Sequence, residues 1–479
     1  MRRLALALLL VACAPLGATP ATTAPPSGAD PASASPTAAT LGFDGPKAHQ
    51  HLTYLADPAR GGRFTGSTGF ADAAGYVADR FKEIGLEPLG DDGTYFQRFP
   101  VQLVDLAGTP TLSVTGANAR TFTHRVDFTE SIGGRAGNGS ADAQLAVVGG
   151  GAAGNGQDDF AGVDLKGRVA LVTGPTAPGY QENIVQRGGV GILVVGRADI
   201  KYSYIAQLFS ETIPMLVISE ATGDELLRPA GKTVAQLRDA VRARRSNTGA
   251  PDVGFATNTN VRMSVPVMPV HQVQALNVVG LVRASGPDAA RAVLVGGHLD
   301  GVGTDPNGTV FPAANDNASG PSIAIEIARV LAAHRAELKR SVVFVAFSGE
   351  EEGFLGSQSY IARMAQSPGR LESLVAMINL DVIGCCGEVL EATGESRSLQ
   401  ERVRAAAVRQ GVQFSGVSGG GSDQESFSRR GVPAVLILWS DYILHTTQDT
   451  VAKVDVRHLQ RAGDVVAAVA LDLARGEGP

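Results

Sequence analysis

Apolar residues in the second half of the chain gather in short unbroken runs, and between the runs they recur with helical spacing. The runs at 292–295, 341–347 (SVVFVAF), 373–380 (SLVAMINL) and 432–439 (VPAVLILW) read as strands buried on both faces. Helical spacing is legible at 319–335, 357–363, 398–410 and 457–475. Strands alternating with helices predict an α/β fold, a three-layer sandwich with a mostly parallel central sheet covered on both faces. The ligand crevice of such a sheet lies beyond the carboxyl ends of its strands. Toward the N-terminus, 46–55 has helical spacing. The stretch 67–84 sets Phe70, Ala73, Ala74, Val77, Phe81 and Ile84 on one face, and Gly85 ends it.

The texture changes between about 140 and 244. Short apolar runs (AQLAVVG, RVALVTG, GILVVG, MLVIS) are broken by Gly, Pro and Asp, and the helical pattern at 180–187 stands nearly alone. This predicts a β-rich insertion. Because 42–130 alone is short of core, the expected organisation is a first part at 42–135, an inserted β-rich domain at 136–255, and a second part at 256–479. Two motifs fail on context. Gly149-x-Gly151-x-x-Gly154 fits a dinucleotide fingerprint, but no helix opens after it. Gly416-x-Ser418-x-Gly420 fits a nucleophile elbow and His445 follows it, but 419–421 is a poor helix start.

Composition changes this picture little. With 479 residues, 44% hydrophobic and 18% charged, the chain has room for two or three ordinary domains. A net charge of −6 leaves no basic footprint and excludes nucleic acid as the expected partner. The N-terminus reads as an export leader. Met1-Arg2-Arg3 precedes a short apolar run ending Leu10-Val11-Ala12-Cys13, which resembles a bacterial lipobox. A lipoprotein-type signal at 1–13 with a flexible linker at 14–41 makes an outer-membrane lipoprotein. Cleavage slightly later makes a periplasmic or secreted protein. A membrane enters only through that lipid. The remaining cysteines, Cys385 and Cys386, are adjacent, and both a vicinal disulfide and two thiols fit them.

The chemistry gathers at the ends of the predicted strands. His298 and Asp300 follow the first, Glu350, Glu351 and Glu352 the second, Asp381 the third and His445 the last; Asp316 stands just ahead of a helix. Two imidazoles and several carboxylates without a thiolate suit Zn2+, or Co2+ or Mn2+ in its place. With Asp300 and Glu350 set aside, the other five divide into two sites sharing one carboxylate. Taken singly, His445 reads as a surface histidine, the glutamates as a helix start, and Asp423 as an N-cap.

GGHLDGVG (296–303), ANDNASG (314–320), SGEEEGFLGS (348–357), INLDVIG (378–384), SDQESF (422–427) and LHTTQDT (444–450) resemble the M28 family of co-catalytic metallopeptidases, in order and spacing. The text at 158–172, 186–195 and 213–219 resembles the protease-associated domain. The resemblance implies an exported aminopeptidase acting on peptides with two Zn2+; a carboxypeptidase or a glutaminyl cyclase shares the fold. It implies that Asp316 bridges, that His298 and Asp381 complete one metal site, and that Glu351 and His445 complete the other. It further implies that Asp300 orients His298 through its free ring nitrogen. Glu350 becomes the general base that takes a proton from the attacking water, and Gly353 sets the frame that leaves Glu352 variable. Leu444 stands where an aromatic residue is frequent, Thr447 in place of a usual proline and Gln424 in place of a frequent histidine. All three are expected near substrate.

Overall fold

The computed structural model describes residues 41–477 apart from 117–118, 155–156, 207–212, 247–250 and 418–419. The lipobox, nearly all of the linker and Ser418 of the elbow pattern lie outside the described residues. Among the described residues, no helix is long and apolar enough to cross a membrane.

Two nine-stranded sheets organise the described residues. In the first, Ala292–His298 lies between Ser341–Phe347 and Leu374–Leu380, and Ala434–Trp439 pairs outside the latter, all parallel. The flanks are antiparallel: His271–Val282 against Ser341–Phe347 on one side, Leu390–Thr393 against Ala434–Trp439 on the other. The sheet is therefore mixed, and the parallel character predicted for it belongs to its four central strands and to the edge pair Leu390–Thr393 with Phe414–Val417. The unbroken runs made those four visible, because a strand buried on both faces needs no polar alternation.

The pleat sends neighbouring residues of the central strand into different cores. Val293 and Val295 join the helices Gly45–Leu55, Thr68–Ile84, Ser319–Ala333, Arg397–Arg409 and Val456–Ala474. Leu294 joins Tyr360 and Phe427, from the helices Leu355–Ala365 and Gln424–Ser428. Thr68–Ile84 forms as the spacing requires. Ser67 caps it by accepting from the Phe70 amide at 3.1 Å, and Gly85 closes it at φ 85°. Its face buries Phe70, Val77 and Phe81, each with about 1.5–3 kcal/mol of transfer free energy.

The second sheet uses Thr111–Thr115, Phe128–Glu130, Gly139–Val147, Val169–Val172, Gly191–Val195, Ile213–Ile218 and Phe255–Val265, with short pieces at its edges. It reaches beyond the 136–255 expected of an insertion. The strands at 111–130 are short, and a short strand's residue pattern does not say which sheet it joins. The strand Phe96–Leu103 stays in the first sheet as the partner of His271–Val282. The two bodies are thus joined where these antiparallel partners continue side by side: Ala107 donates to the Pro266 carbonyl at 2.9 Å and Met268 to that of Asp105 at 2.8 Å.

A buried ion network ties the bodies together farther along. Arg125 grips Asp305 with two donors at 2.8 Å each and Glu130 with a third at 2.7 Å. His124 lies 2.7 Å from Glu130, and the Lys201 ammonium 3.6 Å from Asp305. Cys385 and Cys386 are joined as a disulfide.

Candidate metal centre

His298 is the last residue of the central strand, and Asp381 directly follows the next. Glu350 and Glu351 follow Ser341–Phe347 across Ser348 and Gly349, while His445 sits in the loop after Ala434–Trp439 at φ 56°. Asp316 lies in the turn Ala314–Ala318, with φ −120° and ψ 88°, ahead of the helix Ser319–Ala333. The Asp316–Asn317 peptide is cis.

The structure brings these residues together. His298 Nε2 is 3.1 Å from Asp381 Oδ1, 3.3 Å from Asp316 Oδ1 and 4.0 Å from Glu350 Oε2. His445 Nε2 is 3.1 Å from Asp316 Oδ2 and 3.0 Å from Glu351 Oε2. One carboxylate thus faces both imidazoles, one oxygen to each. His298, Asp316 and Glu351 can converge on one point, and so can His298, Glu350 and Asp381.

Four carboxylates crowd two imidazoles in a buried pocket, and the crowding shifts both histidines, Asp316 and Glu350. Burial pushes His298 down, and Asp381, Glu350 and Asp316 more than reverse this, holding it well above its ordinary value. His445 is likewise raised, burial being overcome by Glu351 and Asp316. For Asp316, burial is outweighed by the hydrogen bonds to the two histidines, which hold it low. Glu350 is pushed well above the usual range by burial and then by Glu351 and Asp381, against the pull of His298. The buried Glu351 Oε1 has no hydrogen-bond partner. An oxygen-rich, thiolate-free donor set with surplus negative charge fits Zn2+ or a related divalent ion.

Asp300 departs from its expected contact. His298 Nδ1 lies 3.2 Å from the main-chain oxygen of Asp300 and 3.7 Å from its carboxylate. The carboxylate accepts instead from the Glu351 amide at 3.2 Å. Burial, opposed by His298, raises it to about 6. Asp300 thus touches both histidine and glutamate arms, but the imidazole through its main chain. Glu352, expected at a variable position of the motif, is only 2% exposed. Asp423 makes no cap hydrogen bond, and its side chain is buried.

Several supporting residues escaped the sequence reading. Asp449 accepts from the amides of Asn315 and Asp316 at 2.7 and 2.9 Å, fixing the backbone of the shared carboxylate. The buried Arg63 guanidinium donates to the carbonyls of Leu55, Leu299, Pro312 and Ala313, all within 3.0 Å, and clamps the loop from Asp300 to Asp316. Ser422 donates to Asp381 Oδ2 at 2.7 Å and accepts from Asn379, which also reaches Gln424. Gln424 is therefore buried bracing behind Asp381, whereas Leu444 and Tyr442 are 39% and 68% exposed. Ser203, from the second body, donates to Glu351 Oε2 at 3.0 Å. Asp449, Ser422, Asn379 and Gln424 lie inside quoted motifs, whereas Ser203 carried no local signal.

Residues 277–470 match the model of peptidase family M28. Over 215 residues, 42% of this chain and 45% of the relative, the sequence is 30% identical to aminopeptidase YwaD of Bacillus subtilis strain 168. Over 211 residues, 41% of this chain and 22% of the relative, it is 32% identical to endoplasmic reticulum metallopeptidase 1 of Rattus norvegicus. The chain spans less than half the length of these curated relatives. Its fold is similar to that of an aminopeptidase from Aneurinibacillus sp. strain AM-1, with TM-score 0.65 and 22% identity over 90% of this chain and 94% of that one. It is also similar to that of BSAP, a zinc aminopeptidase from Bacillus subtilis, with TM-score 0.64 and 22% identity over 92% and 97%. The segment matched by the family model holds every residue of the candidate centre.

Proposed function

We propose that the chain is a zinc-dependent exopeptidase that removes N-terminal residues from peptides, using two metal ions. The observation that carries this reading is Asp316, which offers one carboxylate oxygen toward His298 and the other toward His445. Its oxygens diverge to two separate donor groups, as a shared carboxylate requires. His298 and Asp381 would hold one ion with it, Glu351 and His445 the other. Such ions supply Lewis acidity at the scissile carbonyl and at water. Glu350, on the same wall, takes the proton from the attacking water and passes it to the leaving amine. Asp300 steadies Glu351 through its amide. The names of the similar proteins, a zinc aminopeptidase among them, support zinc and the aminopeptidase reading. The second sheet is read as a protease-associated-type body, and export follows from the leader pattern at 1–13.

Elemental analysis beside an assay on aminoacyl-arylamides tests the reading. Replete protein is expected to hold about two ions per chain, and Asp316→Ala to lose activity and most of the metal. Full activity with one ion per chain would sink it.

A further inference from the structure

The second sheet does more than sit beside the metal centre. Its segment 200–205 meets the centre at three points. The Lys201 amide donates to the His445 carbonyl at 2.9 Å, Ser203 Oγ donates to Glu351 Oε2 at 3.0 Å, and Ile205 lies against Gly353. The histidine and the glutamate so contacted are the two residues assigned to one of the metals. Buried groups hold the segment in place. Arg125 Nη1 and Thr129 Oγ1 both donate to the Ile200 carbonyl at 2.9 Å. Lys201, 2% exposed, reaches Asp305, and Tyr204 hydrogen-bonds Glu130.

We propose that Ser203 is a positioning residue for Glu351, so that the second body completes the Glu351–His445 metal site. This rests on the two-metal reading above. The geometry supplies the reason. The serine hydroxyl engages Oε2, the same oxygen that faces His445 Nε2 at 3.0 Å, while Oε1 is buried without a partner. A hydrogen bond to one oxygen restrains the carboxylate's rotation and so orients it, and outer partners of this kind are worth about 10–100-fold in metal affinity. Removing the hydroxyl loosens the glutamate without touching a ligand. Threonine keeps the hydroxyl and should keep the effect.

The test is Zn2+ titration against a competing chromophoric chelator for wild type, Ser203→Ala and Ser203→Thr, with melting temperatures of the metal-free proteins. Support is two ions in wild type, one of them bound about 10–100-fold more weakly in Ser203→Ala at an unchanged metal-free melting temperature, and recovery in Ser203→Thr. The inference is overturned if Ser203→Ala binds Zn2+ like wild type. It is also overturned if Ser203→Ala merely melts earlier without metal and threonine restores no affinity, which is a packing contact. Wild type that takes up no Zn2+ overturns the metal reading itself, and this inference with it.

Discussion

Three consecutive glutamates at 350–352 have three different surroundings, and chemistry separates them. Glu350 faces the imidazole of His298, Glu351 that of His445, and Glu352 turns inward, its carboxyl pushed well above the usual range by burial and by Asp300. Glutamine at 350 keeps shape but accepts no proton, so metal should stay while kcat falls by about 10²–10⁴. Glutamine at 351 replaces an anionic donor with a neutral one, and metal affinity itself should fall. Glutamine at 352 mimics a buried neutral acid and should be nearly silent. Metal content beside kcat for the three variants checks the frame; loss of turnover from Glu352→Gln, with Glu350→Gln active, would overturn it. The ligand residues were legible in the sequence because each directly follows an apolar run or sits inside a motif. Arg63 and Ser203 were not, because their partners lie far along the chain and a spacing pattern carries no such contact. Asp423 stayed open for another reason: a carboxylate before a short helix fits a cap by local rules, and only the structure shows it buried without a cap hydrogen bond.

At the level of the element, the central strand explains why its tip is so well placed. Its pair Gly296–Gly297 is a sequence feature that helix and strand propensities undervalue. A Cβ at Gly296 would lie 2.0 Å from the Val345 carbonyl oxygen, and one at Gly297 2.2 Å from that of Leu380. The neighbours on both sides close in on a strand that has no side chains there, and His298 comes next. Gly296→Ala should therefore push the backbone of Ser341–Phe347 aside and destabilise the protein by about 3 kcal/mol or more, beyond ordinary overpacking. Denaturant unfolding measures it. A variant as stable as wild type would mean that the two strands separate freely at this point. The same tight register explains why strand existence was readable in the sequence and sheet membership was not. Apolar runs announce burial, but the antiparallel flanks and the allocation of 111–130 to the second sheet depend on tertiary pairing.

For the whole molecule, the two bodies share an ion network whose charge state sets a pH limit. Burial raises the Glu130 carboxyl, but the hydrogen bond to His124 and the charge of Arg125 more than offset that, holding it at about 2 against an ordinary 4.5. A carboxyl with a depressed folded value stabilises fully above the unfolded value and progressively less as pH drops from about 4.5 toward 2. The melting temperature should fall over that window. Glu130→Gln leaves Arg125 with one fewer partner, should cost about 3–5 kcal/mol near neutrality, and should lose much of that acid dependence. Parallel melting curves for both proteins down that range would refute the assignment.

The paired strands that join the bodies have a mechanical meaning. A single connecting chain is a swivel, free to twist and bend alike. Two strands laced by main-chain hydrogen bonds, from Asp105 to Met268 and from Ala107 to Pro266, form a strap that bends across its width but resists torsion. The grip of Arg125 on Asp305 crosses between the same two bodies and adds a side-chain tie to the strap.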